Sequence, residues 1–270
     1  MDKIKSFEEF TLNEKGSALG FLGDILTGGV DIFGKTDSSD NASNTEVGTA
    51  GSYTPTGTYT ATPGNDDFAL YMQHQQGIAG AAGIVKALNG TGKMAPDTIK
   101  TKSGVKYANL VQNVPSDRPQ VKKDIIAALD KGDQRTAAGL FLNMWKEKWV
   151  SKQAQARTAI NVPKNATVKD AITKASTKYK VPFDFAITVA QIESGLNPNA
   201  HGATYKGLFA MQPGSNYGGT VTPMGNGWND PYINSENGVK LLKNNISQFK
   251  KTLGNDWASL KVGSWANNLA

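Results

Sequence analysis

Apolar positions recur at helical spacing through most of the chain after residue 66. Phe68, Tyr71, Ile78, Val85 and Leu88 share one face, and Asn89-Gly90 ends the run. Gly77, Gly80 and Gly83 are three residues apart, which predicts close approach by a second helix. Further helices are predicted from about Pro119 to Lys131, stopped by Gly132, and from about Gln134 to Ala154. In the latter, Leu140, Phe141, Met144 and Trp145 form an apolar stripe that reads as core rather than as a binding surface. Thr167 and Asp170 have the spacing of a capping box, opening a helix with Val168, Ile172, Ala175 and Tyr179 on one face. Residues 183–192 are mostly apolar, with Pro182 at a first-turn position and Gly195 as the stop. A last amphipathic helix sets Val239, Leu242, Ile246 and Phe249 against Lys240, Lys243, Asn244 and Lys250.

The N-terminal quarter lacks such a pattern. In residues 16–34, Leu19, Leu22, Ile25, Leu26, Val30 and Phe33 approach helical spacing, but glycines, Asp24 and Asp31 interrupt it. This stretch reads as a docking segment or as disorder, ahead of membrane insertion, because the basic face that lipid binding needs is missing. Residues 36–66 are dominated by Ser, Thr, Gly, Asn and Asp, the composition of a linker. The expected organisation is an N-terminal leader or docking segment (1–35), a linker (36–66), a helical domain of unassigned function (67–160) and a C-terminal helical domain (161–270). The fold class is mainly α, with a disordered N-terminal tail.

Composition narrows the chemistry. The 270 residues are 39% hydrophobic, enough for one large or two small packed domains. With no cysteine and two isolated histidines, neither a disulfide frame nor a metal site is expected, and no cofactor is. His74 reads as a satisfied interface residue, and His201 has no assigned role. Charge is uneven: residues 1–66 hold 4 Lys against 10 Asp or Glu, a net −6, whereas residues 67–270 hold 25 basic and 13 acidic residues, a net +12. A cationic body favours an anionic polymer, whether peptidoglycan, an acidic wall polymer or nucleic acid, or simply keeps the chain in solution. No stretch of about 18 apolar residues is present to form a transmembrane helix. Glu8 and Glu9 occupy the place of a secretory signal's apolar region, so delivery by another route is expected.

Glu193 falls in the last turn of the apolar 183–194 helix. Burial and the negative end of the helix dipole both disfavour an ionised carboxyl there. A carboxylic acid that keeps its proton is what protonating a glycosidic oxygen requires. Glu193-Ser194-Gly195 is followed by Gly207-Leu208-Phe209-Ala210-Met211-Gln212-Pro213, and then by Asp230-Pro231-Tyr232-Ile233-Asn234 with Gly238, Val239 and Leu242.

In these three ordered elements the chain resembles the soluble lytic transglycosylase family, related in fold to goose-type lysozyme. The resemblance covers roughly Thr167 to Ala270 and departs from the family twice. Ala210 stands where the family has Gln, and the usual Ala-Tyr-Asn third motif has no clear match, Trp265 or Asn267 standing near its place. It implies a lysozyme-like C-terminal domain cleaving the bond between N-acetylmuramic acid and N-acetylglucosamine, with Glu193 as acid and then base and a 1,6-anhydro product. Ser194, Gly207, Leu208, Met211, Gln212, Tyr217 and Trp265 are the expected substrate-binding residues. Tyr205, Phe209, Tyr217 and Trp228 can stack on sugars or pack beneath their loop. The other acids after residue 170 are Asp184, Asp230, Glu236 and Asp256; folding could still bring two carboxylates together, which keeps hydrolysis open.

The segment KSFEEFTLNE resembles the leaders of many proteins of large tailed phages, cut after a Leu-x-Glu triplet, here Leu12-Asn13-Glu14. An ordinary amphipathic helix is the alternative, since Ile4, Phe7 and Phe10 recur at three-residue spacing. The leading expectation is a lytic transglycosylase carried in a phage particle, opening the wall locally and held by other virion proteins through the N-terminal segment or residues 67–160. The rivals are a structural or wall-binding virion protein without turnover and, on charge alone, a nucleic-acid-binding capsid component.

Overall fold

The structure, a computed structural model, describes Tyr59, residues 66–94 and residues 108–269. The leader, the Leu12-Asn13-Glu14 triplet and nearly all of the linker lie outside the described residues. The elements are α1 (Phe68–Asn89), α2 (Ala108–Val111), α3 (Pro119–Asp130), α4 (Gln134–Ala159), α5 (Ala166–Tyr179), α6 (Phe183–Ser194), α7 (Pro231–Leu253) and α8 (Ser264–Asn267). Short 3-10 turns occur at Pro163–Asn165, Gly225–Asn229 and Gly254–Ser259. Among the described residues the only extended pairings are the bridges His201–Lys206 and Lys206–Met211, so the fold is mainly α.

Most predicted boundaries follow from local chemistry. Gly90, Gly132 and Gly195 adopt positive φ at or just past helix ends, where a Cβ would be strained. Asp230 caps α7, its Oδ1 accepting from the amides of Tyr232 and Ile233 at 2.7 and 3.2 Å. The capping box at Thr167 does not form. The Pro163–Asn165 turn runs into α5, which begins at Ala166 with Asn165 at its cap position. Asp170 instead pairs with Lys174 and accepts from the Tyr232 hydroxyl. The predicted α1 is interrupted too: Gly77 has φ 66°, ψ 163°, a conformation open essentially to glycine alone, which breaks the helix after Gln76.

Packing is continuous across residue 160. The central α7 lies on α5 and on α1; α1 also packs on α4, and α4 on α3 and α6. One apolar cluster runs from Phe68 and Leu70 through Phe141 and Trp145 to Phe185, Ile246 and Phe249. The Trp149 ring, from α4, lies 5.2 Å from that of Phe185 in α6. Two aspartates fix the start of α1. Asp66, fully buried, pairs with Lys146 at 3.3 Å, and Asp67 accepts from the Gly263 amide at 2.8 Å and the Trp265 indole at 3.0 Å. Asp67 thus ties the first described helix to the last.

Candidate active site

Glu193 sits at the end of α6, whose residues 185–190 are all buried and anchor it in the core. Gly195 stops the helix with φ 64°. Glu193 is only 5% exposed, and Ser194 beside it donates its hydroxyl to the Ala190 carbonyl at 2.9 Å. Ser194 thereby secures the helix end rather than presenting its hydroxyl to a ligand.

What meets the carboxyl comes from α1, and α4 packs behind it. The Tyr71 hydroxyl donates to Glu193 Oε1 at 2.5 Å, across 122 residues of sequence, and accepts from Gln75 Nε2 at 3.0 Å. His74 Nε2 approaches the same Oε1 at 3.4 Å, with its side chain 23% exposed. The His74 ring lies against that of Tyr71, with centroids 5.8 Å apart. Trp145 and Trp149 hold the Tyr71 ring from the side, at 5.9 and 5.7 Å. Burial first, then the adjacent Glu193 carboxylate, keeps the Tyr71 hydroxyl well above the usual phenol range, so it stays a donor at any ordinary pH. Oε1 is thereby occupied. Among the described residues nothing donates to Oε2, and that oxygen is not sealed in.

Lys148, one helical turn from Trp145, stacks its ammonium 4.3 Å from the Trp145 ring centroid. Burial, reinforced by Lys152, brings its amine down to about 8, against the opposing pull of Glu193 and Asp117. None of Tyr71, His74, Gln75 and Lys148 was anticipated at the site. Tyr71 and Trp145 read as core, which their burial bears out, and only the run of glutamines at 73, 75 and 76 hinted at polar work on α1.

The second and third sequence elements interlock with each other. Asn234, fully buried in α7, accepts from the Phe209 amide at 3.0 Å and donates to the Trp228 carbonyl at 3.0 Å. A Cβ on Gly207 would come within 2.1 Å of the Asn234 amide, and one on Gly238 within 2.4 Å of the Phe209 ring. Only glycine lets the strand-like turn at 206–211 lie this close to α7. Leu208 and Met211, expected to touch substrate, are closed into the core at 0% and 1% exposure, so their side chains shape the turn from beneath. Ala210 holds φ 46°. The half-exposed Gln212 gives its backbone amide to the Tyr217 hydroxyl at 2.7 Å and reaches the Tyr205 hydroxyl with its side chain at 3.4 Å. Trp265 has its indole N–H taken by Asp67 and its ring 5.2 Å from Phe185, so it braces α1 and α6.

The other acids of the C-terminal region are engaged elsewhere. Asp184 pairs with Arg157 at 2.6 Å and Glu236 with Lys178 at 2.5 Å. Asp230 is the α7 cap, and Asp256 accepts from Asn89 and Thr91. Among the described residues no cluster of His, Asp and Glu is arranged to hold a metal ion. Also among them, no helix is long and apolar enough to cross a membrane.

No curated protein and no solved structure matches the chain. The family model described as Transglycosylase SLT domain matches residues 170–263, spanning Glu193, the 207–213 turn and the capped start of α7. Residues 170–263 are therefore similar to the transglycosylase SLT domain, whose family consists of lytic transglycosylases that act on peptidoglycan.

Proposed function

We propose that the chain is a lytic transglycosylase carried in a phage particle, which cuts the β-1,4 bond between N-acetylmuramic acid and N-acetylglucosamine with Glu193 as its acid. The observation that carries the catalytic part is the division of labour at the Glu193 carboxyl. Tyr71 occupies Oε1 as a permanent donor, so the transferable proton belongs on Oε2, the oxygen without a donor of its own. Oε2–H protonates the leaving 4-oxygen of N-acetylglucosamine as the bond from muramyl C1 breaks, with the 2-acetamido carbonyl stabilising the developing cation. The carboxylate left behind then takes the proton of the muramyl 6-hydroxyl as its oxygen closes on C1. The products are a 1,6-anhydro end and a free 4-hydroxyl, and Glu193 ends protonated as it began. A single carboxylate suffices, which agrees with the engagement of Asp184, Asp230, Glu236 and Asp256 elsewhere.

In this reading Gln212 and Tyr217 face the glycan, Gly207 and Ser194 set the backbone around it, and Leu208, Met211 and Trp265 act by packing. The virion setting is supported by sequence alone: the leader-like residues 1–35 and the linker composition of 36–66. They suit a protein tethered in a particle and released to reach the host envelope. A non-catalytic wall-binding role is the second reading, favoured by Ala210 in place of the family's Gln. Isolated sacculi treated with the wild type and with Glu193→Gln decide between them. The expected result is anhydro-muropeptides from the wild type and a loss of about 10³-fold in the variant. Equal inertness would sink the enzyme, and reducing ends would replace transglycosylation by hydrolysis.

A further inference from the structure

The apolar stripe of α4 carries one charge where it meets the site. Trp145 and Trp149 face Tyr71, and Trp149 also meets Phe185. Lys148 lies between them on the same face, three residues beyond Trp145, with Lys152 one turn further along. Other cations around the fold have partners: Lys146 has Asp66, Arg157 has Asp184, Lys174 has Asp170 and Lys178 has Glu236. Lys148 forms no ion pair with a described residue; its contact is the face of Trp145. A half-buried ammonium with no close ion pair, facing only the Glu193 and Asp117 carboxylates beyond 4 Å, is an expensive arrangement, and the depressed affinity of this amine for its proton reflects that cost. An anion entering from solvent would offset it.

We propose that Lys148, backed by the Trp145 face, is a subsite for a carboxylate of the glycan substrate, set next to the bond that Glu193 cleaves. This rests on the peptidoglycan reading above and adds to it the group that is recognised. Peptidoglycan offers that chemistry from two sources. One is the lactyl carboxylate of muramic acid, exposed where the peptide has been removed, and the other is the carboxylates of the stem peptide. Phosphate polymers fit less well, because their charges repeat along the chain, whereas Lys148 and Lys152 are a single pair one helical turn apart, the first of them within the field of Glu193.

The test measures equilibrium binding to the full chain carrying Glu193→Gln, which stops turnover. Lys148 is kept, or changed to Met or Arg. Three probes of equal glycan length are compared, with duplex DNA as a fourth: peptide-bearing strands, the same strands stripped of peptide, and chito-oligosaccharide, which has no carboxylate. Lys148→Met is expected to weaken at least one carboxylate-bearing probe about tenfold, to leave chito-oligosaccharide within about twofold, and to be largely rescued by Lys148→Arg. Selective loss on stripped strands identifies the lactyl group, and selective loss on peptide-bearing strands identifies the stem. Equal weakening of all three probes, no weakening of any, or a larger effect on duplex DNA than on glycan overturns the proposal. Thermal melts of each variant report folding, which replacing a half-buried ammonium with Met should spare. A wild type that releases no muropeptide but shows this carboxylate selectivity would refute the enzyme and keep the subsite. An active wild type without selectivity would do the reverse.

Discussion

Residues 170–263 and the helices ahead of them meet at Glu193, but they reach it by different routes. The matched region supplies the Glu193 carboxyl, the Gly207–Pro213 turn and the capped α7, the last two tied to each other by the Asn234 bonds. The preceding helices supply Tyr71, His74 and Lys148, which touch the site only because α1 and α4 pack onto α6 and α7. A motif marks the first contribution. The second depends on tertiary packing, and its anchors are single residues such as Asp67 and Trp149. The matched region thus holds only part of the candidate site, and a carboxyl identified by motif alone comes without the groups that contact it.

The comparison breaks most sharply if residues 161–270 are expressed alone. Removing α1 and α4 exposes the faces of Phe185 and of α7 that now lie in the shared core, and takes Asp67 from Trp265. The fragment is expected to lose cooperative unfolding and activity together, by circular dichroism melts and muropeptide release. A well-folded, active fragment would show that the two halves are independent domains after all. At a smaller scale, Tyr71→Phe keeps the ring among Trp145, Trp149 and His74 but removes the donor to Oε1. The cost expected is about 10- to 100-fold in kcat with KM little changed, since the bond positions the acid rather than the glycan. A matching rise in KM would assign Tyr71 to substrate binding instead.

Much of the fold could be read from the sequence because its signals are local. The helical period placed α1, α3, α4, α6 and α7 near their observed limits, and Gly90, Gly132 and Gly195 stop or follow helices as their conformational freedom suggests. Glu193 was legible for the same reason, by its place at a helix end. The capping box at Thr167 failed because the preceding 3-10 turn feeds directly into α5 and Tyr232, from α7, engages Asp170. Leu208 and Met211 belong to a motif whose backbone matters while its apolar side chains turn inward. Tyr71 was hidden by its own chemistry: a buried aromatic ring at helical spacing looks like core, and it is core, except for one oxygen whose partner lies 122 residues away.

Two glycines sharpen the contrast between the regions. Gly238→Ala would drive a Cβ into Phe209, and overpacking of this kind costs about 1–3 kcal/mol. Gly77→Ala has open space for its Cβ but must hold a φ of 66°, a strain of about 1–3 kcal/mol as well. Urea midpoints should drop similarly for both. Activity measured well below each midpoint should fall further for Gly77→Ala, because that break positions the turn bearing Tyr71, His74 and Gln75. If both variants lose activity only in proportion to unfolding, the break at Gly77 is a packing feature without a role at the site.

The smallest effect expected is electrostatic and isolates Lys148. Its amine is brought down to about 8 in the folded chain from an ordinary value of 10.5. Between those values the unfolded chain holds a proton that the folded chain has released, so this group makes stability rise with pH across the window. Below about pH 8 both states are protonated and the full cost of the half-dry ammonium is borne. Lys148→Met should therefore be more stable than the wild type at pH 7, with an advantage that shrinks towards pH 10.5. Paired urea unfolding at pH 7 and pH 10 measures the difference, and the paired comparison cancels the titration of the remaining lysines. An advantage that stays constant with pH would place Lys148 in water, and the carboxylate subsite would then lose its electrostatic ground while the Tyr71 contact to Glu193 stood unaffected.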